Sequence, residues 1–464
     1  MSITGIGALS SFGVATETTG GTPTGVVPDV FIPIVSESVQ GSRNALPSGS
    51  IVGDSMVQAV ADGVISVEGN VSQEFEGSVT GQSIWLWNGD TGYTANAIPT
   101  SAATAAPTPV GAAGGSLPDG TYRYKVSSVL QRTTDGRKLI MPASAEASVT
   151  TSSQPTVNVG FTIPSTGIPV GYTLHGTIIW RSAASGAANS EKYLATVVGS
   201  GTTYADTGAA ALGASIPFYG VSLYRHDFIG SPPVTGDRLT PFTYYGCKNN
   251  DFAEQYLYCM MDQMRIGVGS LGDKVMAEFT LKGAQIAQVD NFSPVFVPIE
   301  PFVGWKCKGF MDGVADCTME NFSIQCGNGV VPVPGMCMVP YNRGVISGKR
   351  EVSVSFARQF SDHDFWLKMV NGTEFALQLQ MFGQSIVNVH TYGVTATQSG
   401  LAYDMVPWQY YTVIDLFRLK ANKAGGNAGG PERIVESINA MAFKDTTENT
   451  EMKIQMWNTI SAYA

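Results

Sequence analysis

The sequence has little charge and no long apolar segment. Only 14% of its 464 residues are Asp, Glu, Lys or Arg, whereas an average soluble domain has about 25%. No run of 18 apolar residues occurs, so the sequence predicts no membrane-spanning helix. Residues 1–5 have neither the basic nor the apolar part of a signal peptide, so we expect no secretory signal. Low charge together with 53 glycines is typical of proteins that bury much of their surface against copies of themselves.

Patterns that carry catalytic or metal chemistry are also missing. None of the four histidines has a second ligand at metal spacing, and the sequence has no nucleophile elbow and no phosphate-binding loop. We therefore predict that the chain is not an enzyme and that it has no cofactor and no metal site. The histidines are His175, His226, His363 and His390.

Two acidic pairs come nearest to such a site. Asp362 and Asp364 could bind a cation, but Asp is also favoured at the start of a helix, and we predict that second role. Glu74 and Glu76 resemble the carboxylate pair of a glycosidase. Two carboxylates on the polar side of one strand are more often solvated, so we predict a solvated face there.

The six cysteines do not form the C-x-x-C pairs of a zinc site. We expect buried free thiols in strands, although the positions alone leave disulfide pairing open. They are Cys247, Cys259, Cys307, Cys317, Cys326 and Cys337.

Acidic residues are concentrated at the start of the chain. The formal net charge is −10, and residues 1–100 contain nine acidic residues and one basic residue, Arg43. Proteins that bind a phosphate backbone need clustered Lys and Arg. The charge distribution therefore argues against a nucleic-acid-binding function.

Strand-like alternation is common in the sequence and predicts an all-β fold with minor α content. The clearest strand, residues 63–75, occurs again without a gap as residues 348–360, at an offset of 285. A short aromatic, helix-like piece that ends in Asn-Gly follows each copy. The predicted apolar side is Ile65, Val67, Val71 and Phe75, which correspond to Arg350, Val352, Phe356 and Phe360. The predicted polar side is Glu68, Asn70, Ser72 and Glu74 in one copy, and Glu351, Ser353, Ser355 and Gln359 in the other.

A second, weaker match explains why the two copies differ in length. Residues 273–280 resemble residues 432–439 at an offset of 159, which leaves 126 extra residues inside the first copy. The composition changes at that place: residues 101–116 form a small-residue linker, and short strand candidates follow at intervals of about ten residues. Their order resembles an immunoglobulin or fibronectin type III module, which implies an inserted β-sandwich.

A long loop precedes each matched strand, at residues 40–62 and 327–348. Both loops hold apolar residues that a solvated loop would not favour. They either contact another subunit or fold back on their own sheet, and the residues leave both alternatives open. The candidate contact residues are Arg43, Leu46, Val52, Met336, Met338 and Val339.

The order of motifs at the start of the chain resembles the tail tube proteins of phages with long non-contractile tails (siphophages). The motifs are Gly-Ile-Gly at 5–7, Phe-Gly-Val-Ala-Thr-Glu-Thr at 12–18, Pro-Asp-Val-Phe-Ile-Pro at 28–33 and Ser-Glu-Ser at 36–38. The resemblance implies a tail-tube β-sandwich or barrel fold. We then expect a first copy of this fold at 1–99 and 216–290, an inserted immunoglobulin-like domain at 100–215, and a second copy at 291–464.

The same resemblance implies a structural virion protein of the tail that is assembled in the host cytoplasm. It further implies a tube of stacked six-fold rings with one copy of the fold in each subunit. A chain that contains two copies of the fold then implies three chains per ring. The expected partners are other copies of the chain and the tape measure, tail terminator and baseplate proteins, and DNA passes through without specific binding. We expect the polar sides of the two matched strands to line the channel, although the opposite phase, with these residues outside, stays open. The alternative function is a surface adhesin or fibre protein whose immunoglobulin-like domain binds host glycans.

Overall fold

A computed structural model describes most of the chain, and the described part is almost entirely antiparallel β-structure, as predicted. The described residues are 10–17, 28–47, 60–89, 92–97, 106–133, 138–141, 143–153, 155–163, 168, 172–213, 224–230, 239–248, 252–292, 294, 299–335, 340–386, 409–426 and 434–463.

Strands occur along the whole described chain, with only two α-helices in it. Before residue 100 they are β1 (Ser11–Thr16), β2 (Val30–Phe31), β3 (Ser36–Glu37), β4 (Gln40–Pro47), β5 (Val60–Glu74) and β6 (Tyr93–Ala97). The next are β7 (Thr108–Ala113), β8 (Gly120–Arg132), β9 (Lys138–Ile140), β10 (Ala147–Thr151), β11 (Pro155–Gly160), β12 (Tyr172–Arg181), β13 (Lys192–Val198) and β14 (Thr203–Asp206). Then follow β15 (Tyr224–Ile229), β16 (Phe242–Lys248), β17 (Phe252–Val268), β18 (Met276–Gly283) and β19 (Gln285–Val289). The last are β20 (Cys307–Met311), β21 (Val314–Asp316), β22 (Met319–Gly327), β23 (Val331–Val333), β24 (Gly344–Ile346), β25 (Glu351–Gln359), β26 (Glu374–Ser385), β27 (Gln409–Gly426), β28 (Val435–Ala442) and β29 (Met452–Asn458). The helices are α1 (Thr80–Asn88) and α2 (Asp364–Asn371).

Two ladders with the same strand arrangement make up most of the largest sheet. The first ladder runs β1–β16–β17–β18–β5 and ends on β3 and β4. The second runs β20–β26–β27–β28–β25 and ends on β22. Strand β17 of the first ladder pairs with β22 of the second, which makes the two ladders one continuous sheet.

The two ladders also share their register. Glu74 lies opposite Met276 between β5 and β18. The counterpart of Glu74 is Gln359, at an offset of 285, and the counterpart of Met276 is Val435, at an offset of 159. These two residues also lie opposite each other, between β25 and β28. Because a slip of one residue would turn every side chain to the other face, equal register places equivalent side chains on equivalent faces.

An irregularity in pairing occurs at the same place in both ladders. The register of β17 against β18 shifts between Met261 and Gln263. The register of β27 against β28 shifts between Ala421 and Lys423. The two shifts are 160 residues apart in the sequence, so the ladders bend at matching positions.

The apolar sides of the matched strands face one core. Val67, Val71 and Phe75 are buried in the same cluster as Val352 and Phe356. The alternation that the sequence predicts is therefore present in both strands, and the opposite side chains are exposed or half-buried except for Ala357, which is buried. Burial of this kind is worth about 1.5–3 kcal/mol for each large apolar side chain.

The two helices follow the matched strands at the predicted places, but they are buried to different extents. Every residue of α1 is buried, whereas Phe365 alone is buried in α2. Helix α2 ends at Gly372, whose φ of 64° is the left-handed conformation that favours glycine.

The prediction that residues 40–62 and 327–348 are loops is wrong for residues 40–47, 60–62, 331–333 and 344–346, which are strands. Strand β4 pairs with β5, and β23 pairs with β24, so each segment contains a β-hairpin. All eight residues of β4 are exposed, and its described partner strand is β5 alone. The polar sequence of β4 has no alternation, and its strand conformation comes from its pairing with β5.

Residues 106–213, the middle segment, form two smaller sheets around their own core. One sheet has the order β10–β8–β12–β13 with β9 beside β8, and the other has the order β14–β11–β7. Tyr124, Val157 and Ile179 are buried between them. A separate buried cluster joins the middle segment to the large sheet, because it contains Trp180 together with Tyr411 of β27 and Trp457 of β29.

Candidate functional site

The candidate site is the polar face of the large sheet. Glu68, Asn70, Glu351, Ser355 and Gln359 are exposed, and the remaining predicted positions, Ser72, Glu74 and Ser353, are half-buried. All eight predicted polar residues thus lie on the side of their strands opposite the core. Strands β18, β17, β22 and β28 lie between or beside β5 and β25, so the face continues across them.

Uncharged polar side chains connect neighbouring strands of this face. The Thr280 hydroxyl donates to Asn70 Oδ1 at 2.8 Å, between β18 and β5. The Ser38 hydroxyl accepts a hydrogen bond from the Asn70 backbone N–H at 3.0 Å. Ser42 and Ser66 hydroxyls lie 3.1 Å apart across the β4–β5 hairpin. These contacts hold the side chains of the face in place without adding charge.

Two of the three predicted acidic residues of the face, Glu74 and Glu351, have basic partners, which sequence reasoning missed. Lys274 Nζ lies 2.5 Å from a Glu74 oxygen, although 200 residues separate the two in the sequence. Lys349 lies 3.3 Å from Glu351. The face is therefore more nearly balanced in charge than residues 1–100 suggest.

The join between the two ladders lies in the middle of this face. Arg265 of β17 lies opposite Gln325 of β22, donates to the Ser323 hydroxyl at 3.0 Å and lies 3.4 Å from Glu278. A shallow depression of about 400 Å³ is lined by Arg265, Ser323, Glu278 and Ser355. Its mixture of charges and hydroxyls matches the rest of the face, and nothing in it points to a catalytic group.

Two of the predicted contact residues lie on the β4–β5 hairpin. Arg43 Nη1 lies 2.9 Å from Asp62 Oδ2 across the hairpin, and Leu46 is 54% exposed. Val52, Met336, Met338 and Val339 lie outside the described residues.

The acidic pairs considered as catalytic or metal-binding candidates have local structural roles. The N-cap of α2 is His363, which makes no side-chain cap hydrogen bond, so the prediction that an Asp caps this helix is wrong in detail. Asp362, one residue earlier, accepts a hydrogen bond through Oδ1 from the backbone N–H of Asp364 at 3.0 Å and lies 3.0 Å from Arg358. The prediction of a solvated Glu76 is wrong. Glu76 is buried, and its carboxylate accepts hydrogen bonds from the Val79 N–H and the Ser78 hydroxyl at the start of α1. Burial raises the pKa of Glu76 despite these bonds.

Free thiols are present at all five described cysteines, and three of them are buried as predicted. Cys317 is exposed and lies between two strands, so the prediction is wrong for that residue, and Cys337 lies outside the described residues. Burial raises the pKa of the Cys326 thiol to about 12, which leaves it unreactive at neutral pH.

The described residues contain neither a metal-binding cluster nor a membrane-spanning helix. No group of three or more His, Cys, Asp or Glu side chains there is arranged to hold a metal ion. No helix there is long and apolar enough to cross a membrane.

The polar sheet face, the absence of a convergent catalytic group among the described residues and the β-rich fold agree with one family. No curated protein sequence matches the chain significantly. The sequence model of the family described as phage tail tube protein matches residues 7–442, which is nearly the whole chain. The chain therefore belongs to the phage tail tube proteins and is a structural component of a bacteriophage tail.

Proposed function

We propose that the chain is the major tail tube subunit of a siphophage and that three chains form each ring of the tube. The observation that carries this proposal is the equal register of the two ladders, with Glu74–Met276 in one and Gln359–Val435 in the other. One chain then supplies two equivalent units, at 1–99 with 216–290 and at 291–464. Three such chains would supply the six units of a closed ring.

The polar face is the proposed wall of the channel through which DNA is ejected. DNA carries one negative charge for about every 1.7 Å of its axis, and a row of free Lys or Arg would bind it by releasing counterions. On this face Lys274 and Lys349 are paired with glutamates, and serine, threonine and asparagine fill much of the remaining surface. Such a wall would let DNA slide without specific binding.

The middle segment is proposed to be an immunoglobulin-like domain inserted at 100–215 and carried on the outside of the tube. Its two sheets have their own core, and its contact with the large sheet goes through Trp180, Tyr411 and Trp457. In the proposed tube these rings would face outwards, away from the channel. An outer domain would then leave the channel open.

Contacts along the tube are proposed to use the hairpins that contain Arg43 and Leu46 and, from the second unit, the segment with Met336, Met338 and Val339. The described parts of both hairpins include exposed apolar residues, such as Val331 at 50% exposure. The ends of the tube would contact the tape measure, tail terminator and baseplate proteins, after assembly in the host cytoplasm.

Negative-stain electron microscopy of the purified chain tests this function. We expect hollow rings or tubes, with class averages that have three protruding densities for each ring. Monodisperse monomers at every concentration would overturn the proposal. If those monomers also bound glycans, the adhesin function would take its place.

A further inference from the structure

Inside one chain, the two ladders are joined by the pairing of two strands. The strand equivalent to each of these two, in the other ladder, lacks that pairing among the described residues. Residues 263–268 of β17 pair with residues 322–327 of β22. Strand β27 occupies the place of β17 in the second ladder, and β3 with β4 occupies the place of β22 in the first. Both of these counterpart strands are edges of the sheet in the described part of the chain.

The first edge is the end of β27. Residues 419–426 pair with β28 on one side. On the other side β26 pairs with β27 only as far as Lys420. The second side of Lys423, Ala424, Gly425 and Gly426 therefore has no partner strand among the described residues. The corresponding part of β17 has a strand on both sides.

The second edge is formed by β3 and β4. Gln40 lies opposite Glu68, and Gln325, which follows Gln40 at an offset of 285, lies opposite Ser353. The outer side of β22 is covered by β17, whereas β4 is exposed along its whole length. A long exposed edge strand invites pairing with another chain unless it is covered.

Helix α2 provides a second, independent sign of a missing neighbour. In the first ladder, the matching helix α1 is fully buried, and residues of the second ladder take part in covering it. Arg350 lies over the Trp87 ring, and Asn328 donates to the Trp87 carbonyl oxygen. In α2, by contrast, Trp366 and Leu367 are each 47% exposed, and Val370 is 57% exposed.

The exposed face of α2 lies beside the open edge of β27. Trp366, Leu367, Phe360 and Ile434 line an open cavity of about 550 Å³ together with Gly425 and Gly426. Phe75, the counterpart of Phe360, is fully buried and packs on Phe302, with ring centroids 5.4 Å apart. Phe302 belongs to the segment that leads into the second ladder. A unit placed next to β27 in the same way would cover α2.

We infer that the partner of this surface is a second copy of the chain, bound in a defined register. Adding 160 to the residue numbers of β17 and subtracting 285 from those of β22 transfers the internal pairing to the two edges. Lys423 then lies opposite Ser42 of the neighbouring copy, Gly425 opposite Gln40 and Gly426 opposite Val39. The strands are antiparallel, as they are at the internal join. This inference rests on the proposed ring and specifies which strands close it.

Charge and shape agree with this pairing. Lys423 and Ser42 are both exposed, and Ser42 lies beside Ser66 and next to Gln40, so Lys423 meets hydroxyl and amide groups rather than another cation. The small residues Ala424, Gly425 and Gly426 leave room for the neighbouring backbone. Repetition of one heterologous contact closes a ring when the rotation between copies is right.

A disulfide test uses the full-length chain with Lys423→Cys and Ser42→Cys. Exposed Cys317, and Cys337, are changed to Ser to remove competing thiols. Directly opposed residues in antiparallel strands have Cα atoms about 4.5–5.5 Å apart, which a disulfide spans. After oxidation of assembled particles, we expect covalent dimers and trimers on a non-reducing gel, with no band above three chains. The matched control pairs Lys423→Cys with Leu46→Cys, four residues or about 13 Å out of register, and should cross-link at least tenfold less.

The outcomes separate the register from the proposed function. Rings or tubes in the microscope without cross-links at 42 and 423, or with equal cross-linking of the control, would overturn the register and leave the tail tube function standing. A chain that forms neither rings nor tubes would overturn both.

A second measurement covers the case in which the cysteine variant does not assemble. Hydrogen exchange of the unmodified chain is compared before and after assembly. Peptides that cover residues 36–47 and 409–426 should exchange at least tenfold more slowly in the assembled state. Unchanged exchange in both peptides would contradict the inference.

Discussion

The guanidinium carbon of Arg350 lies 4.3 Å from the centre of the Trp87 ring. The two residues belong to different ladders and are more than 260 positions apart in the sequence. Arg350 also donates to the Asn88 carbonyl oxygen at 3.1 Å and to Asn328 Oδ1 at 3.3 Å, and its side chain is only 6% exposed. This contact therefore fastens the end of α1 to the strand that begins the second matched segment.

Replacing Arg350 with Met should lower the free energy of unfolding by about 3 kcal/mol, because several charge-assisted hydrogen bonds and a stacking contact are lost together. Thermal unfolding followed by circular dichroism measures the effect. Arg350→Lys is the control that keeps the charge but not the planar group, and we expect an intermediate loss. If the thermal midpoint of Arg350→Met lay within one degree of that of the unmodified protein, the contact would add little to stability.

His226 should make the stability of the chain depend on pH. It is fully buried, and burial lowers its pKa below the ordinary value although Asn458 and the Ile460 carbonyl oxygen act in the opposite direction. Its Nδ1 lies 2.9 Å from the Tyr93 hydroxyl, so the neutral ring is fully bonded.

The sign follows from the lowered pKa. Above the ordinary His pKa of about 6.5, both folded and unfolded chains are neutral at this residue, and its full contribution to stability is present. As the pH falls below that value, the unfolded state takes up the proton first, so stability is lost down to the lowered folded-state pKa. When the pH is lowered from 7 to 5, the thermal unfolding midpoint of the unmodified protein should fall by more than that of His226→Gln. Parallel pH curves for the two proteins would rule this out.

Cysteine reactivity should separate Cys317 from the other described cysteines. Cys317 is exposed, whereas burial raises the pKa of both Cys307 and Cys326 to about 12 and keeps them as thiols. Iodoacetamide at pH 8 should therefore alkylate Cys317 at least tenfold faster than Cys307 or Cys326, because the thiolate is the reactive form. Peptide mass spectrometry reads each site, and labelling in urea shows that all sites can react. Equal rates in the folded protein would contradict the burial.

A lysine at the centre of the polar face tests whether this face lines the channel. Ser355 is exposed beside the join between the ladders. Tubes of Ser355→Lys should retain double-stranded DNA that unmodified tubes release. The logarithm of the binding constant for the retained DNA should fall linearly with the logarithm of the salt concentration. The slope should be steeper by about 0.9 for each added phosphate contact. Ser148→Lys, on an exposed strand position of the middle segment, is the control. If only the Ser148→Lys tubes retained DNA, the polar face would lie outside.

Much of the fold could be predicted because local patterns determine it. Val67 and Val352 alternate with polar neighbours in the sequence, and both are buried. The strand conformation of residues 40–47 could not be found this way, because it depends on pairing with β5 and not on alternation.

The ion pairs and buried carboxylates of the candidate site could not be predicted from the local sequence pattern either. Lys274 reaches Glu74 only because β18 pairs with β5. Glu76 follows the polar side of a strand, but the chain turns into α1 immediately after it, and its carboxylate is buried at the start of the helix. A partner 200 residues away decided the first outcome, and the start of a helix directly after the strand decided the second.

If the proposed pairing closes the ring, the edge at Val39 has a consequence for when polymerisation can begin. In the single chain, Val39 is buried and the Tyr256 hydroxyl donates to the Val39 carbonyl oxygen at 3.2 Å. An incoming strand must displace or share these groups before it can extend the sheet, so the first contact between free chains is costly. Growth on an existing end would gain stacking contacts at the same moment. A chain that assembles in the proposed way would therefore show a lag before it assembles by itself, and a preformed platform that supplies the first ring would remove the lag.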